Sequence, residues 1–416
     1  MPRMVLNHGR YFTGENFELV EGAVVIDDGR IVSIGVKDGD RPDDVEIDLK
    51  GASVIPGLMD AHCHLIYRDV ADPYDIELRK SIAEATIDAV FNASTLLDCG
   101  FTTVRDVGSR GNIGVEVRNA INRGDVRGPR VQPAGRILSA PGGLADFHPS
   151  HIFEGRQYPY GLGVQVVGPH EARAEVRRQL KDGVDWIKVG VSGTGFNPLC
   201  PAERNGLSEA EFEAVMNEAR LQGVPVAAHA ESAEAVRAAA RLGAQTIEHG
   251  IYIDEASVSD MVLNGVTLSP TLSMYRAFAV RGGDMGIPAV IVDQHKRTHA
   301  RHAESVRLAF ESGVPIVAGG DAGLTHFPQG NCAEEAVSYV EIVGMSSRES
   351  LRTLTVNVAR LLGILDDVGT IDVGKRADLV VIDGDPLGDL SLLQRADLRR
   401  YVLLDGEIVA GTAALN

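Results

Sequence analysis

The sequence has few cysteines, and they are far apart. A close Cys-x-x-Cys pair would indicate a zinc ribbon or a redox motif, and a high cysteine density would indicate a disulfide scaffold. Neither pattern occurs, because the four cysteines are scattered along 416 residues, at Cys63, Cys99, Cys200 and Cys332. We therefore expect reduced thiols.

Basic residues are also scarce relative to acidic ones. The chain has 40 lysine and arginine residues against 58 aspartate and glutamate residues, which gives a formal net charge of -18. Phosphate contacts need a basic face, so neither nucleic acid nor an anionic membrane is an expected partner. No apolar run reaches membrane-spanning length, and no early segment has the pattern of a signal peptide, so a cytoplasmic location is expected.

The two ends of the chain carry short β-strand patterns. Near the start, Asp27-Asp28-Gly29 joins two alternating apolar segments, and near the end Asp405-Gly406 joins two more. Asp-Gly in this position is a hairpin signal.

Two β-rich ends around a different middle predict a discontinuous domain. We expect residues 1–56 and 366–416 to form a composite β-sandwich domain, and residues 57–365 to form a separate one. In the middle, strand-like segments alternate with helical ones such as 209–222 and 233–242. This alternation predicts an α/β domain with parallel strands.

Eight strand-like segments can be counted in the middle of the chain, and eight strands close a (β/α)8 TIM barrel. They lie near residues 52–62, 101–106, 131–138, 184–190, 224–229, 245–249, 266–270 and 314–321. An open doubly wound sheet is the alternative, but it would separate the first strand from the last, and no Gly-x-Gly-x-x-Gly turn supports a dinucleotide site. The barrel prediction puts an active site at the C-terminal strand ends.

Candidate metal ligands fall at these strand ends. His62 and His64 stand at positions i and i+2 after the first strand, so their side chains point to one face. His229, His249 and Asp321 close strands five, six and eight. Each could be structural by itself, as a buried histidine bonded to a carbonyl or an aspartate that caps a helix. Together they predict one metal site.

Lys188 lies inside the apolar segment 184–190. Lysine is rarely buried without a partner, so its position needs an explanation. A side chain that extends to water is one reading, and membership of the same site is the other.

With these residues identified, the chain resembles the metal-dependent amidohydrolase superfamily over nearly its whole length. The resemblance rests on His62-x-His64, Lys188, His229, His249 and Asp321, with Pro56-Gly57-Leu58-Met59-Asp60 before them and segment 369–380 after them. Segments 247–250, 269–272 and 320–323, with the strand-four lysine, resemble the branch of Xaa-Pro dipeptidases and imidazolonepropionase-like hydrolases.

The resemblance implies two divalent metal ions. Members with this lysine carry it N-carboxylated by carbon dioxide, as an anionic group whose two oxygens bridge the ions. His62, His64 and Asp321 would bind one ion, and His229 and His249 the other. These ligand types favour zinc, with manganese, cobalt or iron as alternatives.

The implied activity is hydrolysis of a C–N amide bond in a dipeptide, an N-acyl amino acid or a related small amide. A metal-bridging hydroxide would attack the carbonyl, and the catalytic Asp321 would pass its proton to the departing amine. Carbamates, ureas, lactones and organophosphates are alternative substrates for the same centre. A non-catalytic binding module would be expected to have lost ligands, and all six are present.

Glu231 suggests a further alternative, deamination by a mononuclear site. Deaminases of the superfamily have the spacing His-x-x-Glu, whereas Glu231 stands two residues after His229. A one-residue change along a strand reverses the direction of the side chain, and such deaminases need no bridging lysine. We therefore favour amide hydrolysis.

Substrate contacts are predicted from loops at the strand ends. Prolidase-like relatives commonly have a Gly-Gly-His-Gly-Asp segment where this chain has Leu144 in place of the histidine, and a tyrosine where it has Glu231. Both differences remove groups that would hold a dipeptide and its carboxylate. The candidate contacts, each of which could instead be a solvated loop residue, are His148, Tyr67, Glu231, Arg68, His151 and Tyr275. A homo-oligomer is also expected, because barrels of this size often associate.

Overall fold

The structure is a computed structural model that describes residues 3–413 except 38, 71–75, 147, 152–157, 159, 197–199, 285 and 326. The chain forms two compact units. One is made of Met1–Asp60, Ser94–Thr103 and Ala336–Asn416, and the other of Ala61–Ala93 and Val104–Glu335.

The strands, numbered along the chain, are β1 (Met4–Thr13), β2 (Glu18–Asp27), β3 (Arg30–Ile34), β4 (Val45–Asp48), β5 (Ser53–Pro56), β6 (Leu58–Cys63), β7 (Phe101–Asp106), β8 (Arg130–Pro133), β9 (Ile137–Ser139), β10 (Gly163–Gln165), β11 (Ile187–Gly190), β12 (Val226–Ala230), β13 (Thr246–His249), β14 (Thr267–Ser269), β15 (Leu379–Ile382), β16 (Arg399–Leu404) and β17 (Glu407–Ala410).

The α-helices are α1 (Ile76–Arg79), α2 (Ile82–Asp98), α3 (Ile113–Asn122), α4 (Gly168–Lys181), α5 (Glu209–Gln222), α6 (Ala233–Leu242), α7 (Glu255–Asn264), α8 (Leu272–Arg281), α9 (Ala289–Glu311), α10 (Ala333–Ser338), α11 (Ser347–Thr353) and α12 (Val356–Leu361). A π-helical turn covers Tyr339–Val343, and 3₁₀ turns cover Leu390–Gln394 and Ala396–Leu398. None of the described helices is both long enough and apolar enough to cross a membrane.

The first unit is built on an eight-stranded sheet with the order β17-β16-β15-β5-β1-β2-β3, in which β4 also pairs with β1. Both predicted hairpins are confirmed. Asp28 and Gly29 have φ angles of 47° and 74°, and Asp405 and Gly406 have 51° and 78°. Positive φ at both central residues is the conformation that matches the twist of a two-residue hairpin, and it explains the Asp-Gly sequences.

The second unit contains a six-stranded parallel sheet with the order β10-β9-β11-β12-β13-β14. A three-stranded sheet has the order β6-β7-β8. The predicted helices 209–222 and 233–242 are confirmed as α5 and α6. Ser208 and Ser232 cap their N-termini through side-chain hydrogen bonds, and a left-handed glycine ends each helix.

The barrel strands differ from the prediction in four places, so the described strands do not form one closed sheet. One difference is β10, which pairs parallel with β9 although no strand was predicted at 163–165. The predicted strand 52–62 is divided, because β5 pairs antiparallel with β15 and only β6 joins β7. The predicted strand 131–138 becomes β8 and β9, and Gly135 between them has a φ of 69°.

The segment 314–321 has one isolated bridge, from Ile316 to Leu268, in place of a continuous strand. Pro315 has no N–H to donate, and Gly319 and Gly320 follow, so a regular ladder is not expected here. The segment still forms backbone hydrogen bonds on both sides. The N–H of Val317 donates to the carbonyl of Leu268 at 3.0 Å. The N–H of Asp321 donates to the carbonyl of His62 at 2.7 Å.

Candidate metal centre

The predicted ligands lie together at the C-terminal ends of the parallel strands of the second unit. Parallel register keeps neighbouring strand ends level, because Gly190 pairs with His229 and Ala230 pairs with His249. One cavity is lined by all six predicted ligands, His62, His64, Lys188, His229, His249 and Asp321.

A first group of potential ligands consists of His62, His64 and Asp321. One ligand atom from each lies within 4.8 Å of the other two. Asp321 Oδ1 is 3.8 Å from His62 Nε2 and 3.6 Å from His64 Nε2. Two imidazole nitrogens with one carboxylate oxygen suit zinc and related divalent metals.

A second group consists of His229, Glu231 and His249, whose ligand atoms also lie within 4.8 Å of one another. The His229 and His249 rings are 4.6 Å apart between centroids. Glu231 Oε1 lies 3.4 Å from His229 Nε2. The sequence predicted Glu231 as a substrate contact, and the structure brings its carboxylate into the group of ligand atoms.

The hydrogen bonds of His64 and His229 show which ring nitrogen of each histidine can bind a metal. His64 Nδ1 lies 2.9 Å from the carbonyl of Gly108, and His229 Nε2 lies 2.8 Å from the carbonyl of Gly193. A carbonyl only accepts, so each histidine donates there and keeps its other nitrogen for a metal. Burial lowers the pKa of His64 to about 4 and that of His229 to about 3. Both rings are therefore neutral near pH 7.

Sequence reasoning missed two residues that support the centre, Glu248 and Arg105. Glu248 Oε2 accepts a hydrogen bond from His62 Nδ1 at 2.7 Å, and Arg105 Nη2 donates to Glu248 Oε1 at 2.8 Å. Arg105 also donates to the carbonyl of Ala61 and to Thr246 Oγ1. The network fixes the His62 ring with Nε2 directed to Asp321.

Glu248 and Arg105 are both fully buried. Burial by itself would raise the pKa of Glu248, but the positive charges of Arg105 and Lys188 hold that pKa well below its usual range. The guanidinium of Arg105 also lies 4.5 Å from the Trp186 ring centroid. The signal that could have identified Arg105 is a cation within the strand-like segment 101–106.

The amine of Lys188 is a buried polar group of the site that has no hydrogen-bond partner in the described structure. The residue is 1% exposed, and Nζ has no hydrogen-bond partner within the described part of the chain. Burial lowers the pKa of the amine to about 8. A buried polar atom without a partner is expensive and calls for a bound group or a chemical change.

Three residues at the site have left-handed backbone conformations that residues other than glycine rarely adopt. The φ angles are 72° at His249, 52° at Thr271 and 46° at Asp321. Thr271 Oγ1 lies 2.8 Å from His249 Nδ1, which holds that ring in place. Each such conformation costs about 1–3 kcal/mol, and strain of this kind collects at functional sites.

The segment that leads to Asp321 is closely packed at Gly319. A Cβ added at Gly319, two residues earlier, would lie 2.5 Å from His62 Cβ and 2.6 Å from Ser269 Oγ, so only glycine fits there. Burial raises the pKa of Asp321 to about 7, with Lys188 acting in the opposite direction.

Two of the predicted substrate contacts, Tyr67 and Tyr275, line the cavity. The Tyr67 ring lies 4.9 Å from that of His64, and the Tyr275 ring 5.6 Å from that of His249. Tyr275 OH donates to Glu231, which is fully buried and also accepts from the N–H of Gly195 at 3.1 Å. Burial raises the pKa of Glu231 to about 8.

Three other predicted contacts, Arg68, His148 and His151, are not among the described residues that line the cavity. Arg68 pairs with Asp88 at 3.3 Å and stacks on Phe91 at 3.7 Å. His148 Nε2 lies 2.7 Å from a carboxylate oxygen of Glu77, and His151 is exposed. Their role toward a substrate stays a prediction.

Taken as a donor set, the site fits two divalent cations. It offers four neutral imidazoles and the carboxyl group of Asp321, and the Lys188 amine, with no hydrogen-bond partner in the described structure, lines the same cavity. Nitrogen and carboxylate donors of this kind are the usual ligands of catalytic zinc.

Comparison with known proteins gives a consistent match along the chain. The profile of the Amidohydrolase family matches residues 53–409. A crystal structure of a prolidase complexed with N-methylphosphonate-L-proline is 31% identical, with a TM-score of 0.88, and the match covers 99% of this chain and 100% of that one. A Xaa-Pro dipeptidase with bound methionine is 30% identical, with a TM-score of 0.84 and coverage of 98% and 99%. Ochratoxinase of Aspergillus niger is 26% identical over 427 residues, which cover 98% of this chain and 86% of the relative.

Proposed function

Since the chain belongs to the Amidohydrolase family, we propose that it is a metal-dependent hydrolase that cleaves a C–N amide bond of a small molecule. The observation that carries the proposal is the clustering of six side chains, predicted from the sequence as ligands, around one cavity. The prolidase and dipeptidase structures and ochratoxinase support the same class of activity.

We assign two divalent metal ions, with zinc as the expected metal, to the two groups of ligands. His62, His64 and Asp321 would hold one ion, and His229 and His249 the other. When bound, the two ions would polarise the substrate carbonyl and lower the pKa of a water molecule.

Lys188 is proposed to be N-carboxylated. Its neutral amine bonds to the carbon of carbon dioxide and releases a proton, which gives a carbamate whose single negative charge is shared by two oxygens. Burial, which lowers the pKa of the amine to about 8, favours the neutral form that this reaction needs. The carbamate would replace a costly buried cation with an anion that suits two metal ions.

Asp321 is the proposed proton carrier. Its carboxylate takes the proton from the attacking water and delivers it to the amide nitrogen as the C–N bond breaks. An amine is a poor leaving group until it is protonated, so amide cleavage depends on this second transfer. The side chain of Asp321 is 13% exposed, which leaves access to a substrate in the cavity.

The position of Glu231 favours hydrolysis over deamination. In a deaminase this carboxyl group would have to reach a ring nitrogen of the substrate. Here both carboxylate oxygens accept hydrogen bonds, from Tyr275 and from Gly195, and the residue is fully buried.

For the fold, we propose that the eight segments form a (β/α)8 barrel around this centre. The hydrogen bonds of segment 314–321 on both of its sides support closure. The β-sandwich with bounds 1–56 and 366–416, and a homo-oligomeric state, stay proposals.

The test is a hydrolysis screen of the zinc-loaded protein against amides, carbamates, ureas, lactones, phosphotriesters and aminated heterocycles. Release of an amine from amides at the highest kcat/KM is the expected result. If only aminated heterocycles react, with release of ammonia, or if only lactones or phosphotriesters react, the proposal is wrong.

A further inference from the structure

The cavity beside the metal centre has an apolar wall. The side chains that form it are Ile137, Leu144, Ala145, Leu162, Phe196 and Leu324. We call this set the apolar wall. With Tyr67, Thr194 and Tyr275, it completes the described lining of the cavity around the six proposed ligands.

The apolar wall reaches the proposed ligands themselves. A Cβ placed at Gly108 would lie 3.0 Å from His64 Cε1 and 3.1 Å from Ile137 Cδ1, so Ile137 and His64 flank the same glycine. A Cβ placed at Gly190 would lie 2.9 Å from Leu144 Cβ. Because Gly190 ends the strand that carries Lys188, the Leu144 side chain stands directly beside the centre.

The aromatic member of the apolar wall is held in position by its neighbours. The Phe196 ring lies 5.3 Å from that of Phe278 and 5.0 Å from that of His295, both in edge-on geometry. A ring fixed in this way offers a preformed apolar surface.

Three described basic side chains outside the cavity lining, Arg136, Arg68 and His148, have other partners. Arg136 donates to the carbonyls of Tyr158 and Gly161, each at 3.0 Å. Arg68 and His148 pair with acidic side chains, as described above. Of the described residues that line the cavity, Lys188 alone carries an amine or guanidinium, and it belongs to the proposed metal centre.

We propose, on the basis of the hydrolase function above, that the substrate is an amide whose fragment against the apolar wall is an uncharged hydrocarbon group without a carboxylate. A carboxylate buried against the apolar wall would lose its hydration, and no described residue of the wall offers it a counter-ion. A hydrocarbon group gains free energy from leaving water. The enzyme therefore prefers N-acyl arylalkylamines and similar amides to dipeptides and N-acyl amino acids.

Two amides that differ only in a carboxylate test this proposal: N-hexanoyl-phenethylamine and N-hexanoyl-phenylalanine. With zinc-loaded protein, we expect the phenethylamide to have the higher kcat/KM by at least about tenfold. An equal or higher kcat/KM for the phenylalanine derivative would overturn the preference and leave amide hydrolysis intact.

A binding measurement tests the preference for the uncharged amide independently of hydrolysis. The Asp321→Asn protein, loaded with zinc, is titrated with each amide by calorimetry, and the phenethylamide is expected to bind more tightly. If neither amide is hydrolysed but this order of binding holds, the preference stands and the proposed hydrolysis is wrong. If the phenylalanine derivative binds as tightly, or if neither amide binds, the preference is wrong.

A pair of substitutions at Leu144 gives the matched control. Leu144→Arg puts a permanent positive charge into the apolar wall and should shift the kcat/KM ratio toward the phenylalanine derivative by at least about tenfold. Leu144→Met keeps the wall apolar at similar volume and should keep the ratio. An unchanged ratio in Leu144→Arg protein with normal zinc content and circular dichroism would also count against the proposal.

Discussion

Glu248 Oε2 lies 2.7 Å from His62 Nδ1 inside a fully buried network, and this contact sets the orientation of a proposed metal ligand. The other carboxylate oxygen of Glu248 accepts from Arg105, whose guanidinium is held in turn by Thr246 and Ala61. The ligand role of His62 therefore depends on residues that never touch the metal.

Glu248→Gln should weaken metal binding about 10–100-fold, the usual effect of losing a partner that orients a ligand. The amide can still fill the space, but it lacks the charge that holds His62 and Arg105. Competition with a zinc chelator measures the affinity directly, without reference to turnover. Glu175→Gln, at a buried glutamate that pairs with Arg178, is the matched control and should keep the wild-type zinc affinity. Equal affinity in both variants would show that Glu248 does not position His62.

Asp321→Asn should retain much of the metal and lose nearly all turnover. Asparagine can still offer an oxygen to a metal, but it cannot carry a proton, and general acid–base catalysis contributes about 10²–10⁴-fold to rate. The measurement is kcat at saturating substrate, with zinc content determined on the same sample. Asp293→Asn, on the exposed side of α9, is the control. Near-normal kcat in the Asp321 variant would refute its role as proton carrier.

Lys188→Met should lower the zinc content below two ions per chain. It should also make the free energy of unfolding of the metal-free protein less dependent on pH. Burial lowers the pKa of the Lys188 amine to about 8 from the usual value near 10.5. From pH 8 to pH 10.5 the unfolded chain thus holds more protons at this group than the folded one, and the free energy of unfolding rises with pH.

The measurement is the denaturation midpoint of chelator-treated wild type and variant from pH 7 to pH 10.5. The wild type should gain stability relative to Lys188→Met across that window. If the difference between the denaturation midpoints of the two proteins stays constant with pH, burial does not lower the pKa of the Lys188 amine.

Tyr275→Phe should destabilise the protein by about 1–3 kcal/mol, because it removes a hydroxyl donor from a buried carboxylate. Glu231 would keep the hydrogen bond from Gly195 but lose the one from Tyr275. Chemical denaturation of the zinc-loaded protein measures the change, and the exposed Tyr160→Phe substitution is the comparison. A loss as small as that of Tyr160→Phe would show that the Tyr275 hydroxyl adds little to the folded state.

Local chemistry explains which parts of the fold could be predicted. The Asp-Gly hairpins are encoded in two adjacent residues, and the bounds of α5 and α6 are set by a serine before each helix and a glycine after it. The division of the first predicted strand could not be predicted, because Val54 and Ala61 both lie in apolar runs and only tertiary pairing sends them to different sheets.

At the site, too, features encoded in neighbouring residues could be predicted, and features that depend on tertiary contacts could not. His62, His64 and Lys188 could be identified as candidates because histidine pairs and a buried lysine are unusual in apolar strands, and all three line the cavity. Their role as ligands stays a prediction. Glu248 reads as an ordinary polar residue until the chain folds and brings Arg105 beside it. His148 stands in a suitable loop, but its bond to Glu77 depends on a contact 71 residues away in sequence.

The most direct test of the account is a zinc titration of the metal-free protein in bicarbonate buffer, with amide hydrolysis and bound zinc measured at each step. The account predicts that hydrolysis rises to a plateau at two zinc ions per chain and that Lys188→Met never reaches it. A plateau at one ion per chain, or two bound ions without hydrolysis of any amide, would contradict it.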